Sequence, residues 1–101
     1  MIIYNVTVNV DHSIATAWLL WLQQEHIPDI TGTGCFTHAT VLRLLDVEDD
    51  EGVTYAVQYH TDNKARYEQY MKYFADTMRK KATEKWGSKF IAFRSVMELV
   101  H

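Results

Sequence analysis

Four polar side chains suited to orienting a small ligand fall on stretches that alternate with period two: Asn5, Gln58, His60 and Arg94. Each amide offers donors and an acceptor, the imidazole can take either role near neutral pH, and the guanidinium presents fixed donors to an anion. Brought onto one surface, they would bind and position a polar molecule. They make neither a nucleophile–base pair nor a metal ligand set. Cys35 and His38 form one Cys-x-x-His pair, two ligands where a structural zinc takes four. Cys35 would serve as a nucleophile only with a base beside it, and nothing local supplies one. His26 ends a helix, where a cationic ring suits the helix dipole, and His12 and His101 read as surface residues. The sequence has no Gly-rich phosphate loop, no Gly-x-Ser-x-Gly and no His-Glu-x-x-His. No metal and no cofactor is expected.

The elements that must position these residues are written in the periodicity. Residues 2–10 alternate, with Ile2, Tyr4, Val6, Val8 and Val10 on one side and Ile3, Asn5, Thr7 and Asn9 on the other, which predicts a strand. Asp11 or Ser13 can cap the helix that follows. Ile14, Ala17, Trp18, Trp21, Leu22 and Glu25 lie at helical spacing, and this helix is expected to stop before Pro28. Ile27–Cys35 reads as a loop, Phe36–Val47 as a strand and 48–52 as an acidic turn ending at Gly52. Val53–His60 alternates again and completes a hairpin. Asp62 is the expected cap of a second helix. Its core stripe is Tyr67, Tyr70, Met71, Phe74, Ala75, Met78 and Ala82, its solvated side includes Asp76, Arg79 and Lys80, and Gly87 ends it. Lys89–Val100 is the last strand.

The order β-α-β-β-α-β is the split βαβ pattern. It predicts a single α+β domain over residues 1–101, a ferredoxin-like sandwich with a four-stranded antiparallel sheet and two helices on one face. Tyr4, Val6 and Val8, with Val53, Tyr55, Val57 and Tyr59, should meet the helices. The opposite face would show Asn5, Thr7, Asn9, Thr54, Ala56, Gln58, His60, Ala92, Arg94 and Val96. Either Phe36/His38/Thr40 or Thr37/Ala39/Val41 could join it, since periodicity leaves the second strand's register open. The face is too polar for a core and too uncharged for a plain solvated surface. A second copy of the chain is its expected cover, with a small-molecule ligand as the alternative occupant.

Composition narrows the partners. A net charge of −3 argues against nucleic acid, which wants clustered positive charge. Glu51–Gln58 keeps a Gly and one aromatic of the RNA-recognition signature but lacks its basic start and closing aromatic. The longest apolar run, Ala17–Leu22, falls far short of the ~20 residues of a membrane span, so no membrane association is expected. One cysteine can form no internal disulfide, and a reducing, cytoplasmic home fits. Aromatic residues at 13% are many for so short a chain and imply a large core, a pocket or an interface.

Tyr4-Asn5-Val6-Thr7-Val8, Trp18-Leu19-Leu20-Trp21-Leu22, His26-Ile27-Pro28, Thr33-Gly34-Cys35-Phe36, Tyr55-Ala56-Val57-Gln58-Tyr59 and Trp86-Gly87 together resemble an uncharacterised bacterial domain-of-unknown-function family along nearly the whole chain. More remotely the pattern is similar to the dimeric α/β-barrel superfamily, in which two such protomers pack sheet against sheet. The resemblance implies a homodimer. It also implies chemistry ranging from ligand sensing to cofactor-independent oxygenation and isomerisation. Haem-degrading members use an Asn on the first strand, for which Asn5 or Asn9 could stand, a Trp in the sheet and a His on the second helix. This sequence has no Trp between Trp21 and Trp86 and no His between His60 and His101, which argues against haem oxygenation. The leading expectation is a non-catalytic homodimeric binding or regulatory module. The alternatives are a cofactor-independent oxygenase or isomerase and a protein- or RNA-interaction module.

Overall fold

The computed structural model describes residues 1–48 and 52–101; Asp49, Asp50 and Glu51 of the expected acidic turn lie outside the described residues. Strand β1 (Ile2–Asp11) leads to helix α1 (Ala15–Trp21), which passes through a π-turn (Leu22–His26) into α2 (Ile27–Thr31). Then come β2 (His38–Arg43), β3 (Gly52–Thr61), α3 (Lys64–Tyr73), α4 (Ala75–Trp86) and β4 (Phe90–Glu98). With each bent helix taken as one unit, the order is the βαββαβ that the periodicity predicts. The strands make one open sheet in the order β2-β3-β1-β4, every neighbouring pair antiparallel. The thinnest dimension is 19 Å, about one sheet layer plus one helix layer of ~10 Å each. The helices therefore cover one face of the sheet and leave the other bare.

Residues directly opposite in antiparallel strands point to the same face, so the register assigns each side chain. Val6 lies opposite Val57 and Arg94, and Val8 opposite Tyr55 and Ala92; this set faces the helices. Tyr4, Val8, Val10, Val57 and Tyr59 there join Trp18, Trp21, Leu22, Ile30, Tyr70, Ala75 and Met78 in the core. Tyr4 sits among the rings of Phe36, Tyr59, Tyr67 and Tyr70, centroids 5.6–6.1 Å away, which accounts for much of the aromatic content. Cys35 is buried in the same core, as an inert thiol would be.

On the bare face Asn5 lies opposite Gln58 and Ser95, Thr7 opposite Ala56 and Phe93, and Ile3 opposite His60 and Met97. Pairing of His38 with His60, Thr40 with Gln58 and Leu42 with Ala56 settles the second strand: His38, Thr40 and Leu42 join the bare face. The last strand is turned over relative to expectation. Ala92, Arg94 and Val96 face the helices, while Ile91, Phe93, Ser95 and Met97 face outward.

Three local features also depart from the sequence reading. The first helix does not stop at Pro28. Ile27 N–H reaches back to the Leu22 carbonyl, five residues away, and this wide turn places Pro28 in the first turn of α2, where its missing N–H costs little. The second helix is capped by Asn63, whose side-chain oxygen accepts from Ala65 N–H at 2.7 Å, rather than by Asp62. Asp11 makes a turn instead of a cap, accepting from Ser13 N–H and Oγ. The second helix bends at Phe74 (φ −126°), while Phe74 N–H to Tyr70 O and Met78 N–H to Phe74 O carry the hydrogen bonds through. Gly87 ends α4 at φ +62°, a conformation that a Cβ disfavours.

Gly52 pairs with Asp11 at the end of β3. A Cβ there would fall on the Val10 carbonyl oxygen and 2.8 Å from Asn9 Oδ1. Because the obstacle is backbone of the central strand, Gly52→Ala should cost about 2 kcal/mol or more, measured as a lower urea midpoint at unchanged slope.

Candidate functional site

The sheet separates the four polar residues singled out in the sequence. Asn5, Gln58 and His60 share the bare face, whereas Arg94 projects beneath the sheet toward the helices. The reason is that both sides of β4 carry apolar residues, and the more apolar side, with Ile91, Phe93 and Met97, is the one left uncovered.

On the bare face the polar groups are tied to one another. Asn5 Nδ2 donates to Thr7 Oγ1 at 2.9 Å and to Ser95 Oγ at 3.5 Å, and Asn9 Nδ2 donates to Thr54 Oγ1 at 3.1 Å. The His38 and His60 rings stack 4.3 Å apart and 3° from parallel. His60 Nε2 meets Thr40 Oγ1 at 3.1 Å and His38 Nδ1 meets Thr37 Oγ1 at 2.9 Å. Partial burial, then the neighbouring His38, holds His60 below the ordinary imidazole range. These bonds run along the face.

The cavity lies on the other side, between helices and sheet. It measures about 50 Å³ and is lined by aromatic and aliphatic side chains together with His26, Arg79 and Arg94. At ~10–15 Å³ per molecule it has room for about three to five waters. Each polar group comes from a different element. His26 closes the π-turn, Arg79 lies on α4, Arg94 on β4, Tyr4 on β1 and Tyr70 on α3. An extra residue in a helix rotates everything beyond it, and π-turns are frequent at functional positions. Here the rotation brings His26 onto the cavity and stacks its ring on Trp21, centroids 4.5 Å apart.

The electrostatics are one-sided. Burial is the main cause that pushes His26 down to about 4; Asp29 opposes it, and Lys81 and Arg94 add to it. The ring is therefore neutral at pH 7. Burial also raises the Tyr59 and Tyr70 hydroxyls above the ordinary phenol range, and Arg79 and Arg94 both pull on Tyr70 in the opposite sense. Arg79 donates to the Tyr4 hydroxyl at 3.3 Å, while its Nε is buried with no hydrogen-bond partner. Among the described residues no carboxylate lines the cavity. Outside it, a wider groove bounded by Glu25, Asp29, Lys81, Glu84 and Lys85 shares Trp21 and His26 with the cavity wall. Among the described residues no three His, Cys, Asp or Glu are grouped to hold a metal ion. The cavity thus presents two guanidinium-bearing residues in largely apolar surroundings.

The residue pattern puts Arg79 on the solvated side and His26 at the end of the first helix, where a cationic ring suits the helix dipole. A signal for Arg79 existed: it follows Ala75 by four residues and precedes Ala82 by three, so it shares their stripe. For His26 the only signal was Pro28 two residues on, which a regular helix could not accommodate.

A four-stranded antiparallel sheet under two bent helices, in this strand order, defines an α+β protein of the ferredoxin-like class. The chain belongs to the family described as "Domain of unknown function (DUF4286)", whose sequence model matches residues 1–100. No curated protein sequence matches it. A dimeric ferredoxin-like protein from an uncultured marine organism is similar over 99% of this chain and 95% of its own, with TM-score 0.74 and 11% identity. An ethyl tert-butyl ether d (EthD) family protein from Bacillus halodurans is similar over 98% of this chain and 100% of its own, with TM-score 0.66 and 14% identity. At these identities the likeness is one of fold. No helix among the described residues is long and apolar enough to cross a membrane.

His26 predicts a pH dependence of stability. Its folded pKa lies below its unfolded value of 6.5, so between the two the unfolded chain binds more protons, and stability falls as pH drops from 6.5 toward 4. The loss attributable to this ring is on the order of 2–3 kcal/mol. His26→Gln should flatten that slope in urea unfolding measured at several pH values across the window. An unchanged slope would place the proton uptake elsewhere.

Proposed function

We propose that this protein is a homodimeric, non-catalytic ligand-binding module, in which two copies meet through their bare sheet faces and each keeps its own cavity between helices and sheet. The observation that carries the reading is the row on β4. Phe93 is 69% exposed and Ile91 59%, with Met97 and, across the sheet, Leu42 also exposed. No Asp, Glu, Lys or Arg stands between Ile3 and Asn9, between Thr54 and His60 or between Ile91 and Met97 on this face. A contiguous apolar and uncharged patch marks an interaction surface.

Its size suits a second copy. Four strands ~4.8 Å apart and up to ~30 Å long span an area of the same order as the ~800 Å² per partner of a stable interface. The chain exposes 6380 Å², whereas a monomer of 11.8 kDa is expected to expose about 5,900 Å². Amides and hydroxyls that both donate and accept, such as Asn5, Gln58 and Thr7, can pair with their own kind across a two-fold axis. The marine neighbour of the same fold is described as dimeric, which supports a two-copy assembly. In this reading Asn5, Gln58 and His60 belong to the interface, and Arg94 belongs to the ligand cavity. A reducing, cytoplasmic home suits the single buried thiol of Cys35.

An oxygenase or isomerase working without a cofactor would use His26 as its base. A base held near 4 is poorly matched to proton abstraction at neutral pH, which favours binding over catalysis.

Size-exclusion chromatography with light scattering tests the interface. The wild-type chain should run at twice 11.8 kDa, and Phe93→Glu, which sets a carboxylate from each copy into the proposed interface, should run as a folded monomer. A wild-type monomer at high micromolar concentration would sink the reading.

A further inference from the structure

The cavity has a charge pattern that none of its own residues completes. Arg79 and Arg94 line it, and among the described residues no carboxylate does. Among the described residues neither guanidinium has a carboxylate within ion-pairing distance, whereas Lys80 and Lys81 on the same helix pair with Glu84 and Asp29. The two arginines reach the same cavity from different elements, Arg79 from α4 and Arg94 from β4. Arg79 Nε is buried without a partner although its terminal nitrogen is bonded to Tyr4. Buried donors in proteins are almost always satisfied, and Arg79 itself lines the cavity.

We propose that the cavity binds a small carboxylate, whose oxygens are taken by Arg79 and Arg94 and whose short apolar chain lies against Trp18, Leu22 and Ala92. The inference rests on reading the protein as a ligand-binding module and names its ligand class. Planar guanidinium donors suit a carboxylate. The apolar walls suit an alkyl chain rather than a second charged group, which disfavours inorganic phosphate. The volume sets the size. At ~10–15 Å³ per water-sized group, about 50 Å³ takes roughly three to five non-hydrogen atoms, so the acid has at most about three carbons. Trp21 and His26 line both this cavity and the outer groove, which makes them the wall a ligand must pass. A neutral His26 ring leaves the anion to the arginines and can add one hydrogen bond.

Propionate is the probe, with propionamide as its uncharged isostere and inorganic phosphate as a competing anion. Titrations of the dimer are followed by the His26 ring and Trp21 indole NMR signals. Propionate should give saturable shifts at both residues at a concentration at least tenfold below any seen with propionamide. Arg79→Gln and the more exposed Arg94→Gln should each weaken propionate about tenfold or more, with the dimer mass unchanged. Equal response to propionamide, tighter binding of phosphate, or no saturable shift with propionate would overturn the proposal. Should Arg79→Gln fail to fold, Arg94→Gln decides alone. Dimer mass without propionate binding defeats this inference only, and propionate binding by a monomer defeats the dimer only.

Discussion

Everything in this molecule depends on the pairing of β1 with strands on both sides. Its side chains alternate, so its registers with β3 and β4 decide which residues meet the helices and which meet whatever lies beyond the sheet. A slip of one residue in either pairing would exchange the two faces, putting Asn5 and Thr7 against Trp18 and Tyr70 and leaving Tyr4 and Val8 in the open. The cost of burying that amide and that hydroxyl among aromatic rings, with no partner for them, is what holds the register. Both the core and the bare face follow from that one choice.

The two faces answer different demands. Beneath the sheet, closely packed rings exclude water. Any charge placed there interacts strongly with its few neighbours, as the displaced titration of His26 and the tyrosines shows. Above the sheet, short polar side chains bond along the surface between apolar ones, so little is lost if a like surface covers them. A pocket and an interface can therefore share one thin sheet without competing for the same residues.

The strands were legible because alternation is a local property, and β1 and β3 read correctly from their apolar sets alone. β4 did not, for a physical reason. Phe90, Ala92 and Val96 on one side and Ile91, Phe93 and Met97 on the other are both apolar. The usual rule sends the more apolar set inward, and it fails where the outward set faces a surface that is itself a candidate for burial. That single inversion took Arg94 off the face it was assigned to. Arg79 was hidden by its charge, since a long side chain can lie along an apolar stripe and still carry a cation. His26 was hidden by a helical irregularity that residue spacing does not announce. The second strand's register depended on its cross-strand partners and so was not a property of its own segment.

The π-turn from Leu22 to His26 has a consequence for how this chain can change. A regular helix advances 100° per residue, so the wide turn acts as a phase shift between the segment carrying Trp18 and Trp21 and the segment carrying Ile30. Both segments bury their apolar residues only because that shift is present. Loss of one residue anywhere in the turn would restore an unbroken helical ladder and a more ordinary local geometry. It would also put Ile30 and His26 out of phase with the sheet and set Pro28 inside a regular helix. The irregular turn is therefore the element whose length is least free to drift, although nothing in its composition, Leu-Gln-Gln-Glu-His, looks constrained.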